Sequence, residues 1–184
     1  MTVPERVVLV DDNGDVIGSD LKSEVHTTDT ALHLAFSCYV LDDAGRTLIT
    51  RRALSKRTWP GVWTNACCGH PAPGEQTGDA VARRLREELG IAAEGIRLAI
   101  PDFRYRAVAP DGIVENEICP VFTATVRGVP RPDPNEVAEW SWIPFDALAV
   151  AIESAPMVFS PWAVLQVPAL RPLTLTGSTS RALR

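Results

Sequence analysis

Gly69 opens a spacing in which Glu75 follows after five residues and Arg83-Arg84-Leu85-Arg86-Glu87-Glu88-Leu89-Gly90-Ile91 after seven more. A helix with carboxylates along one side presents hard oxygen ligands to Mg²⁺, and the ion then bridges phosphate oxygens. Overlapping its start, Asn65-Ala66-Cys67-Cys68-Gly69-His70 sets a thiol and an imidazole beside a glycine whose bare backbone lets a ligand come close. A reactive cysteine is expected there. Taken alone, Arg84 and Glu88 read as a surface i, i+4 ion pair worth about 0.3–0.5 kcal/mol.

Charge along the chain is uneven. Eighteen Lys and Arg against 23 Asp and Glu leave a net charge of −5 over 184 residues, which argues against a protein held on nucleic acid by bulk charge. An anionic ligand therefore needs a local patch. Residues 44–74 contain no Asp or Glu, whereas Arg46, Arg51, Arg52, Lys56 and Arg57 supply five positive charges there, a credible diphosphate cradle. The four cysteines, Cys38, Cys67, Cys68 and Cys119, show no C-x-x-C spacing and read as reduced thiols. The apolar run after Arg6 ends at Asp11-Asp12, too short for a signal core or a membrane span. A cytoplasmic monomer without membrane insertion is the expectation.

The elements that must position these groups follow from pattern. Arg6 to Val10 and Val16-Ile17-Gly18 flank an Asn13-Gly14 turn and predict a hairpin. Leu34 to Leu41 is nearly all apolar and turns at Asp42-Asp43-Ala44-Gly45 into Thr47-Leu48-Ile49-Thr50, a second hairpin with a buried first strand. Between Gln76 and Gly90, Val81, Leu85 and Leu89 repeat every four residues and predict a helix stopped by Gly90. Strands are expected at Arg97 to Arg106, Ile113 to Val126 and Trp140 to Ile143, and Pro144 opens a helix through Asp146 to Ile152. Val129 to Pro134 reads as a stiff proline-rich loop. The length suits one domain over 1–170, with 171–184 as a poorly ordered, flexible C-terminal tail.

The Gly69 to Ile91 spacing resembles the Nudix box, a loop-helix-loop that holds a divalent metal against a diphosphate, with one departure: Arg84 stands where Nudix hydrolases carry a metal-binding glutamate. Together with Cys68 directly before Gly69-His70, the chain resembles the type I isopentenyl-diphosphate isomerases. The matching stretches are His26 through His33, Arg51 to Lys56, Trp59 to Asn65, Asp102 to Arg106 and Glu115-Asn116-Glu117. The likeness spans Arg6 to Gln166 and implies an α/β (α+β) fold, a Nudix-type α/β/α sandwich with a mixed sheet flanked by helices.

The resemblance further implies interconversion of isopentenyl and dimethylallyl diphosphate through a tertiary carbocation. Cys68 and Glu117 would be the two acid/base groups, Tyr105 would bond or relay to the carboxyl group, and Trp162 would offer its indole face to the cation. His26, His33, His70, Glu115 and Glu117 would hold one divalent ion, Mn²⁺, Mg²⁺ or Zn²⁺, a donor set that does not fix the metal. Glu88 would meet a second, diphosphate-bound Mg²⁺, and Lys22, Arg52, Lys56 and Arg83 would grip the diphosphate. The alternative is a Nudix hydrolase of a nucleoside or sugar diphosphate, against which Arg84 counts. By the alternation of an extended segment, Cys67 points away from Cys68 and reads as packing.

Overall fold

A computed structural model describes residues 4–179 of the chain. The order is β1 (Arg6–Val10), β2 (Val16–Leu21), α1 (Lys22–Val25), β3 (His33–Leu34), β4 (Phe36–Leu41), β5 (Arg46–Arg52), β6 (Trp63–Thr64), β7 (Cys67–Gly69) and α2 (Thr77–Leu89). Then come β8 (Ala92–Ile100), β9 (Arg104–Val108), β10 (Val114–Ile118), β11 (Val121–Arg127), β12 (Val137–Pro144), α3 (Phe145–Ser154) and α4 (Pro161–Thr179). The strands form two mixed sheets, β2-β1-β3-β10-β9 and β12-β5-β4-β11-β8, with β6 on β5 and β7 on β4.

Three stretches expected to be single strands are each cut and shared between the two sheets. The first breaks at Ala35 between β3 and β4, the second at Pro101-Asp102-Phe103 between β8 and β9, and the third at Cys119-Pro120 between β10 and β11. All three breaks are stitched together: Ala35 N–H donates to Ile118 O at 2.9 Å, Cys119 N–H to Phe103 O at 2.8 Å and Ser37 N–H to Pro120 O at 3.2 Å. Across this seam β10 runs parallel to β3 and β11 parallel to β4.

The larger sheet is covered on both faces, which explains its nearly continuous apolar strands. Phe36, Cys38, Val40, Leu48, Phe122 and Ala124 pack with Val81, Leu85 and Leu89 of α2, while Tyr39, Ile49 and Val121 pack with α3 and α4. Helix α2 forms where the period of four places its apolar residues, and Gly90 ends it at φ 62°, its N–H returning to Arg86 O and Leu85 O. Leu85 is fully buried, so Leu85→Ala should cost about 2–5 kcal/mol, read as a lower denaturant midpoint with an unchanged slope.

Helix α4 runs on through Thr179 and carries Pro168 and Pro172 internally, where the sequence reading expects loss of order from 171. Burial of Trp162, Ala163, Val167 and Leu170 against α3 and the sheet holds its first turns despite the missing N–H groups. Residues 180–184 of the expected tail lie outside the described residues. Among the described residues no helix is long and apolar enough to cross a membrane.

Candidate active site

The seam between the sheets carries the site. His26 follows α1, His33 lies in β3, His70 follows β7 and Glu117 lies in β10, directly opposite His33 in the parallel pair. One ligand atom from each of these four lies within 4.8 Å of the others. The three Nε2 atoms stand 4.0 Å (His26), 3.5 Å (His33) and 3.2 Å (His70) from Glu117 Oε1.

Two observations fit these residues to a cation. His33 Nδ1–H donates to Ala31 O at 2.9 Å, so in the neutral ring Nε2 is unprotonated, buried without a hydrogen-bond partner and 3.5 Å from Glu117 Oε1; burial opposes a charge on this ring, but Glu117 outweighs it and raises the imidazole. In the neutral ring that lone pair would face an anion, so the position favours a positive charge between them, which a proton or a metal ion supplies. Burial also pushes the His70 imidazole down to about 4, so that it is neutral, the form that ligates metal. Burial opposes ionisation of Glu117, but the three imidazoles overcome it and hold its carboxyl well below the usual range.

Glu115, expected as a fifth ligand, is outside this group. It shares a strand face with Glu117, as the i, i+2 spacing requires, but its oxygens are taken by the Thr58 hydroxyl at 2.7 Å and the Tyr105 hydroxyl at 2.7 Å. The same Tyr105 oxygen stands 2.9 Å from Glu117 Oε2, so one phenol links the two carboxylates. Burial and the neighbouring Glu117 raise the Glu115 carboxyl.

A cavity of about 590 Å³ opens beside this cluster, and Cys68, Tyr105, Glu117 and Trp162 all line it. Cys67 and Cys68 face opposite ways: Cys67 is buried in the core cluster under α2, Cys68 packs with the cluster on the other side, and both border the cavity. The Cys68 thiol donates to Asn65 Oδ1 at 3.2 Å and lies 3.5 Å from Ser37 Oγ. Burial pushes it up to about 12, so it carries its proton at neutral pH. Cys38 and Cys119 are buried and line no part of the cavity. The Trp162 ring lies 6.0 Å from Tyr105 and 5.9 Å from Trp59, which adopts a left-handed φ of 44°, and the Arg52 guanidinium sits 5.3 Å over the Trp162 ring.

The cationic side differs from the expectation in three places. Lys22, Arg52 and Lys56 line the cavity, with Lys22 paired to Glu5 at 2.6 Å and Lys56 to Glu136. Arg83 does not line it: its guanidinium is forked onto Glu75 by two 2.8 Å bonds and reaches Glu87 at 3.3 Å. Its neighbour Arg84 lines the cavity instead, bound to Glu88 at 2.5 Å and 3.5 Å from Glu136. The Arg84–Glu88 pair is thus a buried ion pair and no surface one, both residues being 7% exposed. Helix phase decides this, since 84 and 88 share the side of 81 and 85 that meets the sheet, where Gly69 leaves only 3.0 Å between a would-be Cβ and Arg84 Cγ. Arg46 and Arg51 leave the cradle for Asp42 and Glu139, and Arg57 remains in it.

Residues 31–163 match the family model of the NUDIX domain. In sequence the chain is 56% identical over 170 residues to the isopentenyl-diphosphate Delta-isomerase of Paenarthrobacter aurescens, covering 92% of each chain. It is 58% identical over 166 residues to that of Mycolicibacterium vanbaalenii, covering 90% of this chain and 91% of the relative. In fold it is similar to the crystal structure of DR0079 from Deinococcus radiodurans, with a TM-score of 0.71 at 20% identity over 90% of this chain and 98% of that one. The chain belongs to the NUDIX domain family and, within it, to the isopentenyl-diphosphate Delta-isomerases.

Proposed function

We propose that the protein interconverts isopentenyl and dimethylallyl diphosphate, adding a proton at one carbon and removing one from another through a tertiary carbocation. The observation that carries this reading is the convergence in one cavity of a protonated thiol, a phenol-linked carboxylate and an indole face. Cys68 and Glu117 exchange protons with the substrate, and Tyr105 holds the Glu117 carboxyl and can pass a proton to it. The Trp162 face attracts the cation without offering a nucleophile that would capture it, a contact worth about 2 kcal/mol or more when desolvated.

Lys22, Arg52 and Lys56 take the diphosphate, with Arg84 in the place expected for Arg83. Glu5 and Glu136 must then yield their partners to the incoming anion. His26, His33, His70 and Glu117 would hold Mn²⁺, Mg²⁺ or Zn²⁺, with Glu115 supporting them through Tyr105. Such an ion polarises a carboxyl group in a dry pocket and makes it a stronger acid. Glu88 would hold a diphosphate-bound Mg²⁺ once Arg84 turns from it. A nucleoside or sugar diphosphate hydrolase is disfavoured, because Arg84 replaces one box carboxylate and occupies another. A cytoplasmic monomer remains the reading, and the four free thiols suit a reducing compartment.

The test is incubation with isopentenyl diphosphate, Mg²⁺ and Mn²⁺ in deuterated water, followed by NMR. Deuterated dimethylallyl diphosphate is expected, and its formation should stop when a chelator strips the metal. Free phosphate without double-bond migration would overturn the reading.

A further inference from the structure

Asn65 is 1% exposed, and its carboxamide is fully engaged. Nδ2 donates to Cys38 O at 3.0 Å and Cys67 O at 2.7 Å. Oδ1 accepts from the Cys68 thiol at 3.2 Å, the Trp162 indole N–H at 3.0 Å and the Thr64 hydroxyl at 2.8 Å. The amide cannot be turned over. Reversal would set an NH₂ group against the indole N–H, and a carbonyl oxygen against two backbone carbonyls.

Of the three groups gathered on that oxygen, the thiol and the indole come from separate elements, β7 and α4, and Asn65 and Trp162 are 97 residues apart in the chain. The start of α4 is fastened to the same stretch elsewhere too. Ser160 N–H donates to Trp63 O at 2.8 Å, and Ser160 Oγ lies 2.8 Å from Thr64 Oγ1 while accepting from Ala163 N–H at 3.3 Å. Those ties place the helix; the Asn65 oxygen is the one that joins the indole to the thiol.

We propose that Asn65 is a positioning residue for this reaction, fixing the proton-bearing sulfur of Cys68 and the indole of Trp162 in one register about the substrate carbons. The inference rests on the isomerase reading. Proton transfer demands contact within hydrogen-bond reach, and the cation it creates must face the ring at that same moment. Apolar packing alone lets helix and strand slide by fractions of an ångström, whereas a shared acceptor with both its amide hydrogens anchored in the sheet does not.

The experiment compares wild type, Asn65→Ala, Trp162→Phe and the double variant in the deuterium assay, and records the ¹⁵N-labelled indole resonances. Asn65→Ala should lower kcat about 100-fold with KM within about threefold, the scale expected for an ångström of misplacement. The Trp162 Nε1–H signal, assigned by its loss in Trp162→Phe, should move and exchange faster with solvent. The double variant should lose less than the product of the two single losses, since each breaks the same tie. Asn65→Asp keeps an acceptor oxygen but sets its second oxygen against the Cys38 and Cys67 carbonyls, so it should displace the indole signal too. Losses that multiply, a KM that rises as kcat falls, or an unmoved indole signal would overturn the proposal. If Asn65→Ala does not fold, a Trp162 Nε1–H signal that exchanges in wild type as fast as an exposed indole would overturn it as well. An inactive wild type would instead sink the isomerase reading, while the indole signal would still decide whether Asn65 holds Trp162.

Discussion

Cys68→Ala should lower kcat by about 10²–10⁴-fold, the range for loss of a positioned proton-transfer group, whereas its neighbour Cys67→Ala should leave turnover within about twofold. The contrast follows from the strand. Both cysteines border the cavity, but Cys67 is packed under α2 while Cys68 lies on the Trp162 side and bonds Asn65 Oδ1, so removal of the Cys67 sulfur is a core change costing about 1 kcal/mol of stability with no part in proton transfer. NMR turnover with circular dichroism on both variants measures this. An active Cys68→Ala beside a dead Cys67→Ala would show the roles to be reversed.

Glu117→Gln should lose both metal and turnover. Glu117 Oε1 is the atom on which all three imidazole nitrogens converge, and the substitution keeps volume while removing the negative charge that draws a cation among them. Glu115→Gln should behave differently, because that carboxylate bonds Thr58 and Tyr105 and lies outside the four-residue group. It should weaken metal binding by about 10–100-fold, as supporting residues around a metal do, without abolishing it. Elemental analysis of the two purified variants separates the cases. Equal metal loss in both would make Glu115 a direct ligand.

The sequence shows the site's membership more fully than its geometry. Box spacing and the Cys68-Gly69-His70 run mark the centre of the site, the family resemblance marks His26, His33 and Glu117, and helix periodicity marks α2, because each is a local signal. The cuts at Ala35 and Cys119-Pro120 leave no trace in hydrophobic pattern. The residues bordering each cut, Leu34 and Phe36, Ile118 and Val121, are apolar, so hydrophobicity does not register the passage from one sheet to the other. Helix α4 is masked by Pro168 and Pro172 and by apolar residues on more than one face. Arg84 reads as a surface residue because a charge at i, i+4 from another charge is ordinarily solvated; only the position of the sheet beneath α2 shows it buried. Asn65 stands in plain view within the Asn65-Ala66-Cys67-Cys68 stretch, but its partners Trp162 and Cys38 are distant in sequence.

The stitched breaks between the two sheets also set the order in which the protein can be made. Thr30 meets Val114 across 84 residues and Gln166 meets Ser37 across 129, and the parallel pairings along that line are closures of the same long range. Such closures are slow to form, since the chain gives up its freedom before the contacts form. A growing chain released only as far as α2 holds all three histidines and Cys68 yet lacks Glu117 and Trp162, so reactivity arrives with the last third of the polypeptide. Until then the thiol and the imidazoles have no pocket around them.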